Sequence, residues 1–247
     1  MKLIADTHCH TIASTHAYSS LTEVVRAAKA KGLYAVAVTD HGYAMPGAPG
    51  KWYFSNLGVV PQYFEGVLVL RGAEANLLDY SARLDLPENE LEGLDWVVAS
   101  IHDPLMPKDH EPTVEECTAL WLRAAQNPHI RVIGHSGSPK YRYDYERVIP
   151  EFGRCGKLVE INENSFSVRK SSIPNCVEIA KLCKKYGVPV VVNSDAHFHT
   201  QIGNFPRAEQ LLQEIDFPEE LVVNASVERF RTYLRQHTHV EVWPRES

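Results

Sequence analysis

The sequence lacks the features of several large protein classes. It has no Cys-x-x-Cys pair, and its five cysteines are odd in number, which favours reduced thiols over a disulfide framework. No apolar run approaches the roughly 18 residues of a membrane span. An acid and two histidines within the first ten residues also argue against a signal peptide. We therefore predict a cytoplasmic protein without a membrane partner.

An excess of basic residues is also missing. Lys and Arg total 25 against 31 Asp and Glu, so the formal net charge is -6. This balance offers no basic stripe for a phosphodiester backbone and disfavours nucleic acid as a partner. Hydrophobic residues form 44% of the 247-residue chain, which is enough for the core of a one-domain α/β barrel. We predict a single domain over residues 1–247.

The sequence does contain a recurring pattern. Six apolar, β-branched segments each run into a histidine or a carboxylate: residues 4–10, 36–41, 69–74, 97–102, 132–135 and 190–197. A seventh strand is predicted at residues 157–162. Helix signals lie between the strands, at residues 20–32, 113–125, 143–152, 174–186, 206–215 and 227–236. This alternation predicts a seven-stranded (β/α) barrel with a metal site at the C-terminal ends of its strands.

The first strand suggests how an ion is held. His8 and His10 are two residues apart on a strand, so both imidazoles point to one side while Cys9 points away as a buried neutral thiol. Glu74 and Asp195 complete this ligand set, because the ends of the third and last predicted strands face the first. For any single histidine, an ordinary hydrogen-bonded role is the alternative. The recurrence at strand ends favours metal binding for the group.

The other rim histidines suit further ions. His102 and His135 end successive strands and suit a second ion that shares Glu74. A third ion is assigned to His16, His41 and His197. We assign Glu74, Asp195 and His197 to catalysis as well as to metal binding. Ions of this kind activate bound water at neutral pH and attract anions such as phosphate.

Together these motifs resemble those of the PHP (polymerase and histidinol phosphatase) family. The segments that carry the resemblance are residues 6–10, 14–19, 39–42, 71–76, 135–141 and 193–197. It runs nearly end to end and is strongest to stand-alone phosphatases of the YcdX type. One departure is Ser136, which follows His135 where the family often has proline.

The resemblance implies a distorted (β/α)7 TIM-like barrel that holds three divalent ions. Zinc is the expected metal, with manganese or iron as alternatives because mixed imidazole and carboxylate ligands select weakly. The implied activity is hydrolysis of phosphomonoesters, so the expected partner is a small phosphorylated substrate. The resemblance is also compatible with a homo-oligomer.

Three other functions remain open. Polymerase-associated members of the same family suggest a phosphodiesterase or exonuclease, against which only the negative charge argues. An amidohydrolase usually places a lysine at the end of its fourth strand, where this sequence has His102. A metal-binding module without activity would use closed sites of four protein ligands, unlike this set. A Cys-x5-Arg spacing at residues 117–123 matches thiol phosphatases, but it falls in a predicted helix without the glycines of a phosphate loop.

Several residues near the rim have two interpretations. Arg169 and Lys140 follow strand ends and are predicted to contact phosphate, with surface cations as the alternative. Asp6 and Asp40 precede ligating histidines and are predicted to accept from imidazole N–H groups, or else to cap the turns. A long loop at residues 42–61 is predicted to cover the rim as a lid or to be a solvated connector. Aromatic residues around it either shape a substrate pocket or pack against the protein: Tyr18, Tyr43, Trp52 and Phe54.

Overall fold

The computed structural model describes residues 1–242 and contains a nearly closed barrel of seven parallel strands. The last five residues of the predicted domain, 243–247, lie outside the described part. In barrel order the strands are β1 (Ala5–Asp6), β2 (Ala35–Val38), β4 (Val67–Asn76), β5 (Trp96–Ser100), β6 (Val132–Ile133), β7 (Leu158–Asn162) and β8 (Val190–Asn193). The short β3 (Tyr63–Phe64) pairs antiparallel with β4. The predicted fold class is confirmed, and all seven predicted strands are present.

Helices connect the strands, as parallel strands require. Those longer than two turns are α1 (Leu21–Ala30), α4 (Val114–Gln126), α5 (Tyr145–Arg154), α7 (Ile173–Tyr186), α8 (Pro206–Glu214) and α9 (Val227–His237). Three are single turns: α2 (Tyr53–Asn56), α3 (Glu88–Leu91) and α6 (Ser165–Val168). Every predicted helix is confirmed within two residues. Within residues 1–242, no helix is both long and apolar enough to cross a membrane.

Local signals explain where the first helices begin. Ser20 caps α1 by accepting from the amide of Glu23, whose side chain accepts in return from the amide of Ser20. Thr113 and Glu116 form the same reciprocal pair at the start of α4. Such a pair satisfies two backbone donors that have no partner inside the helix. Both starts were readable from the sequence for this reason.

The barrel is distorted where its first and last strands meet. The side chain of Asn224 fills the gap, since its amide nitrogen donates to the carbonyl oxygens of Ala5 and Val192 at 2.8 and 2.7 Å. Its Oδ1 accepts from the amide of Val192, and its carbonyl accepts from Ile4. Beyond the C-terminal ends of β1 and β8, the two backbone segments pair again through a bridge between Cys9 and Ala196. The buried side chain of Asn224 thus replaces part of the hydrogen bonding between β1 and β8. The backbone groups of Ala5 and Val192 stay paired although the two strands do not pair regularly.

Glycine is required inside β4, where the backbone is closely packed. A Cβ atom at Gly72 would overlap the carbonyl oxygen of Trp96 and approach the carbonyl oxygen of Val38 to 3.2 Å. We expect Gly72→Ala to destabilise the protein by about 1–3 kcal/mol, the usual cost of overpacking. Urea unfolding measures this as a lower midpoint. Gly58→Ala is the control, since no atom lies within 4 Å of its added Cβ. Equal midpoints for the two variants would contradict the packing argument.

Candidate metal centre

The barrel brings all nine predicted ligands to its C-terminal rim. Each side chain lies on or just beyond a strand, or in the loop that follows β1. At the centre is Glu74, which is 1% exposed and lies within β4, two residues before the strand ends. Its carboxylate oxygens lie between 2.7 and 3.6 Å from nitrogens of five imidazoles, those of His8, His10, His41, His102 and His135. Glu74 therefore lies at the centre of this group of imidazoles.

Asp195 provides the second carboxylate of the cluster. Its Oδ1 lies 3.3 Å from Nε2 of His10 and 3.7 Å from Nε2 of His8. The backbone of Asp195 has a φ of 54°, in the left-handed region that non-glycine residues rarely adopt. Its carbonyl oxygen lies 2.9 Å from Nδ1 of His197. This turn after β8 therefore places the carboxylate and the imidazole of His197 on the same rim.

The two remaining imidazoles, those of His16 and His197, are less buried and lie close to His41. Nε2 of His16 lies 3.2 Å from Nε2 of His41, and the ring centroids of His16 and His197 are 4.8 Å apart. Within residues 1–242, groups whose ligand atoms all lie within 4.8 Å of one another are His8–His10–Glu74, His41–Glu74–His102 and His10–His41–His197. His41 therefore lies between the predicted second and third ligand sets rather than only in the third.

The chemistry of these side chains fits metal ions. Several atoms of the candidate ligands are buried and have no hydrogen-bond partner in the described part of the chain, among them Nε2 of His8, Nε2 of His10 and Nε2 of His102. Each unpaired buried polar atom costs about 1–3 kcal/mol. Divalent cations bound by these lone pairs would remove that cost, and imidazole with carboxylate is a donor set that suits zinc, manganese and iron.

Electrostatics keep the two carboxylates and His102 in forms suited to binding cations. His8 would first release a proton, because burial lowers its pKa but Glu160, Glu74 and Asp195 together raise it well above the usual value. Burial would raise the pKa of Glu74, but the surrounding imidazoles hold it well below its usual range. Burial likewise opposes the ionisation of Asp195, and His8, His10 and Arg169 together hold its pKa well below the usual value. Burial lowers the pKa of His102 to about 3. The carboxylates are therefore ionised and His102 is neutral at neutral pH, which is how these groups bind metals.

Two residues that the sequence analysis did not single out contact candidate ligands. Glu160 on β7 lies 2.7 Å from Nδ1 of His8, and Oδ1 of Asn76 lies 2.7 Å from Nδ1 of His102. Both occupy predicted strand segments. The available signal was a carboxylate within the apolar run at residues 157–162 and an amide just after Glu74.

The prediction that Asp6 and Asp40 accept from ligating imidazoles is wrong. Asp6 accepts from the amides of Ser194 and Gly203 instead, and Asp40 accepts from the amide and hydroxyl of Thr11. Their carboxylates satisfy backbone donors in the turns, which was the alternative interpretation. The side chains point toward neighbouring loops because the turns that follow β1 and β8 leave amides unpaired there.

The two predicted phosphate contacts differ in position. Nη1 of Arg169 lies 3.0 Å from Oδ2 of Asp195, so this guanidinium borders the cluster. Lys140 is exposed and pairs with Asp103, the residue after His102. Arg169 therefore lies beside the ligands, whereas Lys140 lies at the outer edge of the rim.

The long loop includes α2 and packs partly against the barrel. Phe54 is buried in a cluster with other apolar side chains, and the ring of Tyr43 lies 5.4 Å from it. Trp52 and Tyr18 are exposed by 81% and 70%. The packing interpretation thus holds for Phe54 and Tyr43, while the other two aromatic rings face solvent.

The cysteines agree with the sequence analysis. All five are free thiols, as predicted. The thiol of Cys9 is buried and donates to the carbonyl oxygen of Ala37, away from the two flanking histidines. Cys117 and Arg123 both lie within α4, so the Cys-x5-Arg spacing does not form a phosphate loop.

Comparison with known families identifies the group to which this sequence belongs. The model described as "PHP domain" matches residues 6–164, which is more than half of the chain. The chain belongs to the PHP family. A second model, described as "PHP-associated", matches residues 176–205 of this PHP protein and so includes Asp195 and His197. The resemblance of the motifs is therefore confirmed.

Curated relatives of this PHP protein match almost end to end. A protein of Caldicellulosiruptor saccharolyticus named "Probable phosphatase" is 48% identical over 96% of this chain and 98% of its own length. Another with that name, from Acetivibrio thermocellus, is 46% identical over 96% of this chain and 97% of its own. Among solved structures, histidinol phosphate phosphatase from Lactococcus lactis, determined with zinc, L-histidinol and phosphate, has a TM-score of 0.60. It is 17% identical over 88% of this chain and 95% of that chain, which shows a shared fold.

Proposed function

We propose that this PHP protein is a metal-dependent phosphatase that hydrolyses phosphomonoesters. The observation that carries the proposal is the convergence of seven imidazoles and one carboxylate on one rim, together with a buried Glu74. The names of the nearly full-length relatives support the reaction class. The zinc and phosphate bound by the Lactococcus lactis enzyme agree with the proposed cofactor and substrate class.

Three divalent ions, with zinc as the expected metal, complete the proposed site. We assign the first to His8, His10, Glu74 and Asp195, the second to Glu74, His102 and His135, and the third to His16, His41 and His197. When bound, such ions supply Lewis-acid activation of water and neutralise the charge of phosphate oxygens. The catalytic contribution of Glu74 is then to fix the first two ions relative to each other, and that of Asp195 and His197 is to hold the first and the third ion in place.

Charge favours a phosphate group over a neutral substrate. Three divalent ions bring six positive charges, and the nine ligands include two carboxylates, so an excess of about four remains. Arg169 adds a positive charge beside Asp195. Its fork of N–H donors suits the non-bridging oxygens of a phosphate group. Lys140 at the outer edge is proposed to contact the same group when it leaves Asp103.

Hydrolysis assays on a substrate panel test the proposed reaction. The metal-loaded protein is expected to release phosphate from phosphomonoesters much faster than it cleaves phosphodiesters or amides. A preference for phosphodiesters would indicate the nuclease activity of polymerase-associated relatives, and a preference for amides would indicate an amidohydrolase. No hydrolysis of any class by fully metal-loaded protein would indicate a binding module.

Metal content tests the proposed number of ions. We expect more than two ions per chain in protein purified without chelator, because His16, His41 and His197 are left after two sites are filled. Elemental analysis by mass spectrometry measures this ratio together with the identity of the metals. His16→Ala is expected to lower the content by one ion, since this side chain is in the proposed third set alone. One ion or none in the wild-type protein after gentle purification would contradict the trinuclear site.

A further inference from the structure

A buried carboxylate outside the nine proposed ligands lies directly behind them. The side chain of Glu160 on β7 is fully buried, and its Oε1 lies 2.7 Å from Nδ1 of His8. Its Oε2 accepts a 2.8 Å hydrogen bond from the backbone amide of His135. One side chain therefore contacts a proposed ligand after β1 and another after β6.

Two asparagines donate hydrogen bonds to this carboxylate, one to each oxygen. Oδ1 of Asn193 accepts from both the amide and the hydroxyl of Thr7, so its Nδ2 must be the atom that donates to Oε1 of Glu160. Oδ1 of Asn162 accepts from the amide of Ser165, so its Nδ2 donates to Oε2 of Glu160. Both oxygens of Glu160 are thus acceptors from groups that can only donate. An ionised carboxylate is the form that accepts at both oxygens.

The proton of His8 follows from this arrangement. Because Glu160 only accepts, Nδ1 of His8 must carry a hydrogen, so Nε2 is the nitrogen of this ring through which an ion would be bound. That Nε2 is buried, has no hydrogen-bond partner within residues 1–242 and lies 3.4 Å from Oε1 of Glu74. Nε2 of His8 therefore faces the carboxylates of the cluster.

The second contact of Glu160 restrains a strained backbone. His135 has a φ of 23°, in a region that residues with a Cβ atom rarely adopt. The hydrogen bond from its amide to Glu160 supports this conformation, which directs Nε2 of His135 to within 2.8 Å of Glu74. Glu160 thereby links residues that belong to two of the proposed metal sites.

We propose that Glu160 is a positioning residue for the metal centre. It holds the hydrogen of His8 on Nδ1 and the backbone of His135 in place, so that both imidazoles present Nε2 to the ions. This inference rests on the proposed function because it takes the cluster to bind metal. Glu160 itself is not a ligand, since its two oxygens are already used by four donors.

Glu160→Gln tests the role with little change of shape. Each oxygen of Glu160 faces two donors. The NH2 group of a glutamine would replace one of these oxygens, so its hydrogens would point at two groups that also donate. We expect zinc affinity to fall about tenfold to a hundredfold, the usual effect of removing a partner of a ligating histidine. Competition with a chromophoric chelator measures the affinity of apoprotein for each added zinc ion. The affinity of the third site, which Glu160 does not contact, is expected to change least.

Glu163→Gln is the matched control three residues along the same segment. Its Oε2 alone accepts from the amides of Arg207 and Ala208, and glutamine retains an oxygen for both. We expect its zinc affinity to equal that of the wild type. Equal affinities for Glu160→Gln and the wild type would overturn the inference while leaving the proposed function intact. A wild type that binds no zinc would overturn both.

Nitrogen NMR of the zinc-loaded wild type provides a test that does not depend on the variant folding. Long-range ¹H–¹⁵N spectra distinguish the protonated and the metal-bound nitrogen of each imidazole. We expect His8, assigned by the signals missing from His8→Ala, to carry hydrogen on Nδ1 and to bind zinc through Nε2. Zinc on Nδ1, or hydrogen on Nε2, would overturn the inference even if Glu160→Gln proved insoluble.

Discussion

Replacing Glu74 by glutamine is expected to lower phosphatase activity by several orders of magnitude. The carboxylate lies within 3.6 Å of five imidazole nitrogens and supplies one of the two negative charges among the proposed ligands. Glutamine keeps the volume of the side chain but removes its negative charge. Its NH2 group also has no lone pair to offer to an ion. Both proposed ions that share Glu74 would lose a ligand. The measurements are kcat/KM on a phosphomonoester and metal content per chain.

The fold itself is expected to tolerate this change. Glu74 is buried at 1% exposure, and a neutral amide is less costly to bury than a carboxylate in the absence of metal. The thermal midpoint of the apoprotein should therefore differ little from that of the wild type. Glu151→Gln is a suitable control, because this half-buried residue of α5 lies far from the rim in sequence and pairs only with Arg154 in the described contacts. Wild-type turnover and metal content in Glu74→Gln would show that the assignment of Glu74 is wrong.

Chelation is the second change for which a near-complete loss of activity is expected. EDTA should abolish hydrolysis, and added zinc or manganese should restore it, because the chain supplies ligands for ions and the ions supply the activated water. Activity is measured before chelation, after dialysis and after each metal is added. Circular dichroism of the apoprotein separates loss of metal from loss of the fold.

Cys117→Ser provides the complementary control. Cys117 is buried within α4, and burial raises the pKa of its thiol to about 11, so it is protonated at neutral pH. A protonated thiol is a weak nucleophile. We therefore expect the variant to retain wild-type kcat/KM. A thiol phosphatase would give the opposite pair of results, with activity that survives EDTA and is lost on substitution.

The sequence predicted much of the fold and of the ligand set for local reasons. Parallel strands end at one rim, so a histidine or carboxylate that follows an apolar run must come near the others. Capping pairs at Ser20 and Thr113 marked helix starts, since both partners are three residues apart in the chain. These inferences depend on short-range patterns and on the rules of strand connection. They required no knowledge of which side chains touch.

Contacts between distant residues were decided by the tertiary structure. Glu160 reaches His8 across 152 positions, and Asn224 joins Ala5 across 219 to close the barrel. The sequence analysis considered Asp6 and Asp40 as partners of the histidines because they are neighbours in the chain, with capping of the turns as the alternative. The turns directed both carboxylates to backbone amides instead.

The sequence by itself therefore determined the order of strands and helices and the residue types on the rim. It did so because strand periodicity and strand direction are encoded locally. Only the tertiary structure decided which groups orient those side chains and how His41 lies between two ligand groups. These features depend on left-handed backbone at His135 and Asp195 and on side-chain directions across the barrel, which strand periodicity does not encode.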